Sequence, residues 1–211
     1  MNRPIKVKQI TRLYESCNRC GLPTLTCICN IVSPINTKAK FLILSSEREF
    51  YRASSTGRLL KLINPGSTEI FLWERTNPSP GLMANIQKYR GKAYLLFPAE
   101  STDMVARSVG EVEEGPVAFV LIDGTWKEAR KIVRKSDYLK DLPLVSLKPD
   151  YESRFSLRRG RVEGTICTIE AAMEILKLTG EIAQERIIGE YFDLFLKHYK
   201  AGTSSHLPKI D

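Results

Sequence analysis

Histidine is scarce in this chain. His198 and His206 are its only two. His206 falls in a polar tail and His198 near the end of an expected helix. Neither suits a catalytic base, which disfavours a histidine-dependent hydrolase. No apolar stretch approaches membrane-spanning length, so no membrane association is expected. The opening MNRPIKVKQ has no apolar core, so a signal peptide is not expected either. No Gly-x-Gly-x-x-Gly precedes a helix, which removes the usual warrant for a Rossmann-type site. There is no repeat, no low-complexity tract and nothing that calls for an obligate protein partner. A soluble, cytoplasmic protein is the expectation.

What is present bounds the chain further. Its 211 residues, 43% of them hydrophobic, allow one large domain with a small appendage. The formal charge of +8 leans towards a polyanion such as nucleic acid, although many soluble proteins are mildly basic.

Four of the five cysteines lie close together, as Cys17-Asn18-Arg19-Cys20 and Cys27-Ile28-Cys29. Four thiols at this spacing suit a tetrahedral soft-ligand site, with Zn²⁺ the natural occupant. Gly21 and Pro23 let the short loop turn. A site closed by four thiolates leaves no open position for water, so its role would be structural. The alternative is reduced or redox-active thiols. Residues 1–36 are therefore read as a zinc-binding element and 37–211 as the main domain. Cys167, far away in sequence, reads as a buried small hydrophobe.

The chain is organised around PVAFVLIDGTWKEARKIVRK, residues 116–135. Val117 to Ile122 is an apolar, β-branched run that fits a strand buried on both faces. It breaks at Asp123-Gly124-Thr125-Trp126, and a helical period follows. Trp126, Ala129, Ile132 and Val133 share one side. Lys127, Arg130, Lys131, Arg134 and Lys135 share another. In open α/β sheets ligands bind at the carboxyl ends of strands, so the Asp123 carboxylate is expected to face a ligand crevice. Equally, Asp123 and Thr125 can be plain helix caps and Trp126 a core residue.

Further strands are expected at 38–46, 70–73, 93–97 and 144–147. Helices are expected at 82–89, 101–109, 170–178 and 181–199, and a polar turn over 54–58 is expected to lead into a further helix ending at about 63. Strands alternating with helices argue a mainly parallel α/β sheet with flanking helices. Arg58, in the first turn of one helix, can hold a carboxylate or phosphate, or the helix can simply be capped. The loop from Tyr151 to Arg161 gathers arginines, Arg154 among them, around Phe155, as in grips on single-stranded RNA or phosphate.

These motifs together resemble the DTW-domain family. DGTW followed by KEARKIVRKS carries its signature. The cysteine cluster resembles the one that opens many of its chains. Thr56-Gly57-Arg58-Leu59 matches a family element, with Ser46-Glu47 standing where the family often has His-Pro and Ser55 where it has Asn. Pro98 and Glu100 match a proline and an acid that lie beside the cofactor pocket. Ser153, Phe155, Leu157 and Arg158 match a further segment, and Thr168, Glu170 and Ala171 a second pocket loop and helix start.

The resemblance implies a SPOUT-related parallel α/β fold with a C-terminal knot. The family includes tRNA-uridine aminocarboxypropyltransferases. The implied reaction moves the 3-amino-3-carboxypropyl group of S-adenosylmethionine to N3 of a tRNA uridine in the variable loop, leaving 5′-methylthioadenosine. Asp123, then Glu170, are the candidate proton acceptors. Pro98, Asp123, Thr125, Trp126, Ser153, Arg158 and Thr168 are the candidate cofactor contacts. Arg58, Lys127, Arg130, Lys131, Arg134 and Arg154 are the candidate tRNA contacts. Two rivals stand beside this reading. One is an RNA methyltransferase using the same cofactor, and the other a non-catalytic zinc-containing RNA-binding protein.

Overall fold

The computed structural model describes residues 6–147, 151–155 and 166–204. Five parallel strands form one sheet in the order β2-β1-β4-β3-β5. They are β1 (Lys40–Ser45), β2 (Thr68–Leu72), β3 (Ala93–Leu96), β4 (Ala118–Asp123) and β5 (Leu144–Val145). The helices are α1 (Glu47–Phe50), α2 (Thr56–Ile63), α3 (Pro80–Lys88), α4 (Thr102–Ala106), α5 (Trp126–Lys135), α6 (Thr168–Leu178) and α7 (Ile182–Thr203). Among the described residues, no helix is long and apolar enough to cross a membrane.

The period of two along each strand sorts the core into two layers. Phe41 and Ile43 of β1 join Phe119 and Leu121 of β4 on one face, beneath α2, α6 and α7. Leu42 and Leu44 join Val120 and Leu95 on the other, beneath α3 and α5. Both faces are covered, which is why β1 and β4 read as unbroken apolar runs.

β1 and β4 are neighbours whose following helices, α2 and α5, pack on opposite faces. The sheet's topological switch point therefore lies between their carboxyl ends. Their register places Ser45 directly beside Asp123.

The cysteine-bearing N-terminal segment packs onto the core. Cys20, Leu22, Ile28 and Val32 are buried in the same core layer as α6 and α7. Gly21 adopts φ +86°, and a Cβ there would lie 2.1 Å from the carbonyl oxygen of Ala53. On α7, His198 Nδ1 lies 2.9 Å from the carbonyl oxygen of Thr26.

Some boundaries differ from the sequence pattern. The helix expected over 101–109 stops at Ala106, because Val109 N–H and the Arg107 carbonyl instead pair with Leu144 at the edge of β5. The strand expected over 144–147 ends at Val145, and the Ser146 hydroxyl turns back to donate to the Phe97 carbonyl. The α/β class and the parallel sheet match the expectation. The expected knot depends on residues 148–150 and 156–165, outside the described residues.

Candidate active site and metal centre

β4 ends at Asp123, and Thr125 caps α5. The Thr125 hydroxyl accepts from Glu128 N–H, while Glu128 Oε2 accepts from the Thr125 amide at 2.8 Å and its hydroxyl at 2.6 Å. This reciprocal box satisfies orphan donors at the helix start. Burial works to raise the Glu128 pKa, but the two Thr125 donors, with Arg48 and Ser46 beyond them, hold it below the usual carboxylate range.

Asp123 itself turns inward rather than towards the open crevice, and is only 1% exposed. Its Oδ1 accepts from the Thr168 hydroxyl at 2.5 Å. Its Oδ2 accepts from Ser55 at 3.2 Å and from Ser45 at 3.4 Å. One carboxylate thus joins the ends of β1 and β4 to the starts of α2 and α6. Gly57 permits this approach, since a Cβ there would stand 3.1 Å from Asp123 Oδ2. The inward turn has a physical cause. Three hydroxyl donors in a dry site replace the water that a surface carboxylate would keep.

Glu170 plays a parallel part. It is buried, and its carboxylate accepts from the Ser153 hydroxyl at 2.5 Å, Arg154 N–H at 2.7 Å and Cys167 N–H at 2.9 Å. It ties the 151–155 segment to the start of α6.

Beside these anchors lies an apolar cavity of about 140 Å³ at the carboxyl ends of β3 and β4. Phe97, Pro98, Trp126, Leu147, Ile166 and Ala171 are among its walls, and Gly124 and Thr168 also reach it. Trp126 stacks on Phe97 with ring centres 5.3 Å apart and planes 12° from parallel. Arg130 also lies 5.3 Å from the Trp126 ring centre, and it donates to Glu100 at 2.9 Å. The cavity suits a ring-sized apolar group.

Of the residues expected to contact a cofactor, Pro98, Trp126 and Thr168 line the cavity. Thr125 is the helix cap, Asp123 holds the lining residue Thr168 from behind, Ser153 is bonded to Glu170, and Arg158 lies outside the described residues. Phe97, Leu147, Ile166 and Cys167 also line it, yet sequence reading did not single them out as contacts. Phe97, an aromatic closing a strand just before Pro98, was the one with a usable signal.

The expected RNA contacts divide. Lys127, Arg130, Lys131 and Arg134 are exposed along α5. Arg58 is buried; it donates to the carbonyls of Asn18, at 3.1 Å, and Phe50, so it pins α2 to the cysteine loop instead of facing solvent. Burial lowers its pKa, opposed by nearby Asp123, Cys20 and Cys17. Arg154 grips Asp193 of α7 with two contacts of 2.7 and 2.8 Å and lies over the Phe192 ring.

Cys17, Cys20, Cys27 and Cys29 converge, with all four sulfurs within 4.8 Å of one another. Cys17 to Cys29 and Cys20 to Cys27 are each 3.7 Å. A tetrahedral ion with bonds of about 2.3 Å to sulfur has edges of about 3.8 Å, so the donor set fits such an ion. All four thiols are free of disulfides. Burial pushes Cys20 well up and Cys29 up to about 12. Cys17, although burial opposes it, is drawn down to about 7 by the backbone amides of Cys20 and Arg19. Thiols this close resist joint ionisation, and a divalent cation removes that conflict. This group can hold a metal ion.

The DTW domain family matches residues 14–200. tRNA-uridine aminocarboxypropyltransferase 2 of Drosophila melanogaster is 29% identical over 165 residues, covering 77% of this chain and 65% of that protein. The Mus musculus protein of the same name is 25% identical over 166 residues, covering 77% of this chain and 55% of its own. That of Macaca fascicularis is 21% identical over 165 residues, with the same coverage. The chain therefore spans between about half and two-thirds of the length of these curated relatives. No solved structure matches it significantly.

Proposed function

From the premise that this chain belongs to the DTW-domain family, we propose that it is a tRNA-uridine aminocarboxypropyltransferase. It moves the 3-amino-3-carboxypropyl group of S-adenosylmethionine to N3 of a tRNA uridine in the variable loop and releases 5′-methylthioadenosine. The similar curated proteins supply the activity class. The observation that carries the reading within the molecule is the course of α5. The helix starts at the apolar cavity with Trp126 and continues as the cationic face of Lys127, Lys131 and Arg134. Cofactor and polyanion are thereby served by one rigid element.

When bound, S-adenosylmethionine supplies an electrophilic carbon beside a sulfonium, so the protein's own task is orientation and proton removal. Phe97, Pro98 and Trp126 would hold the flat heterocycle. Ser153 and Arg158 would hold the amino-acid end or a tRNA phosphate. Asp123 and Glu170 act in this reading as positioning residues. The first fixes Thr168 at the cavity wall, and the second fixes Ser153 and the start of α6. The N3 proton passes to water.

The four cysteines would bind one Zn²⁺ and stiffen residues 1–36, with residues 37–211 forming the catalytic domain. A SPOUT-like threading of the C-terminal part and action in the cytoplasm belong to the same proposal. Titration calorimetry of S-adenosylmethionine, without RNA, tests the cofactor assignment. Binding to the wild type and loss of at least tenfold in affinity in Trp126→Ala is the expected result. Equal binding by the two proteins would place the cofactor elsewhere.

A further inference from the structure

At the far end of α5, away from the apolar cavity, lies a second recess of about 560 Å³. Its walls come from two distant segments. The loop after β2 contributes Arg75. The end of α5 and the turn that follows contribute Arg134, Lys135, Asp137, Tyr138 and Lys140. Four cations thus face one carboxylate.

The two walls are fastened together. Trp73 Nε1 donates to the Ser136 hydroxyl at 2.9 Å, and the Tyr138 hydroxyl donates to the Glu74 carbonyl at 3.2 Å. Lys131 Nζ sits 5.5 Å from the centre of the Trp73 ring. The recess is therefore a fixed feature of the fold rather than a chance meeting of loose side chains.

Arg134 and Lys135 alone have an ordinary explanation, because cations in a last turn are favoured by the helix dipole. Arg75 and Lys140 do not belong to α5, and the dipole gives no reason for them. Asp137 pairs with Lys140 at 2.5 Å, and among the described residues no ion pair engages Arg75, Arg134 or Lys135. The Asp137 carboxyl is held below its usual range first by Lys140, with Arg75 and Lys135 adding to the effect. All the charged groups of the recess are exposed. An excess of positive charge in a concave, rigid site focuses the field on an anion.

Position decides which anion. At about 1.5 Å of rise per residue, Arg134 stands about 12 Å along α5 from Trp126. That is the reach of a short run of nucleotides. We infer that the recess bounded by Arg75, Arg134, Lys135 and Lys140 binds a backbone phosphate of the RNA substrate, a few nucleotides from the reacting uridine. Tyr138 would support the sugar beside it. The inference rests on the tRNA reading above and adds a contact point, on a second structural element, that fixes the strand's direction across α5.

The test measures binding, not turnover. Fluorescence anisotropy of an unmodified tRNA transcript is followed against salt for the wild-type chain, an Arg75→Ala, Lys140→Ala double variant and Asp137→Asn. The double variant should lower the slope of log affinity against log salt by about one unit, the value for one lost phosphate contact under counterion release. Asp137→Asn should tighten binding. S-adenosylmethionine affinity by calorimetry should be unchanged in all of them, since the recess lies away from the apolar cavity. A wild-type slope retained in the double variant, with tRNA still bound, overturns the recess and leaves the tRNA reading standing. A wild-type chain that fails to bind tRNA overturns both.

Discussion

The Thr168 hydroxyl donates to Asp123 Oδ1 at 2.5 Å, across 45 residues of sequence, and so fastens the start of α6 to the end of β4. Asp123 is buried, and it shares its carboxylate with Ser45 and Ser55. Removing one partner leaves the others partly unsatisfied, which costs about 1–3 kcal/mol. Thr168→Val and Asp123→Asn should each destabilise the protein by that amount in thermal or denaturant melts. Their effects should fall short of additivity by at least about 0.5 kcal/mol. Both should also weaken S-adenosylmethionine binding, because Thr168 lines the cavity. Full stability and affinity in Asp123→Asn would remove the anchoring role.

Metal content is the second expectation. Protein purified without added zinc should carry about one equivalent, as a four-thiolate site requires. Cys20→Ser should lower both metal content and melting temperature, because Cys20 is also a core residue. A Cys–Cys bridge in reduced, metal-free protein would contradict the site.

The Glu128 carboxyl gives a pH prediction with a definite sign. Its folded pKa lies below the unfolded value. Its contribution to stability is therefore present above the unfolded pKa and lost as pH falls through the folded one. Glu128→Gln keeps acceptor and size but removes that titration. The variant should lose stability less steeply than wild type on the acid side, below the ordinary carboxylate pKa, and differ most near neutrality. Parallel stability–pH curves would show that Glu128 does not titrate with folding.

The α5 cations should not contribute equally to tRNA binding. Arg134 has open surface around it, whereas Arg130 is engaged by Glu100 and Arg154 by Asp193. Arg134→Ala should reduce the salt slope by about one unit, the value for one lost phosphate contact. Arg130→Ala and Arg154→Ala should reduce it by less. Equal slopes for all three variants would mean that the ion pairs open on binding.

Much of this molecule was legible in its residues. The run from Val117 to Lys135 announces a buried strand and an amphipathic helix because an unbroken apolar run gives way to a 3.6-residue period after Gly124. The cysteine spacing announces the convergence of four sulfurs. The partners of Asp123 were not legible. Ser45, Ser55 and Thr168 are brought together by register and by helix packing, and a hydroxyl carries no periodic signal of where it will point. For the same reason a carboxylate at a strand end reads as aimed at the crevice when it is turned inward. Arg58 and Arg154 mislead in a related way. A guanidinium in a loop or first turn looks available for phosphate, but here carbonyls of the cysteine loop and of Phe50 use one and Asp193 uses the other.

The central claim is that this fold transfers an aminocarboxypropyl group to tRNA. Incubation of the full chain with S-adenosylmethionine and unmodified tRNA, followed by mass spectrometry of nucleosides and small products, tests it most directly. The account predicts 3-(3-amino-3-carboxypropyl)uridine together with an equal amount of 5′-methylthioadenosine. A methylated nucleoside with S-adenosylhomocysteine, or tRNA bound but left unmodified in the presence of bound S-adenosylmethionine, would contradict it.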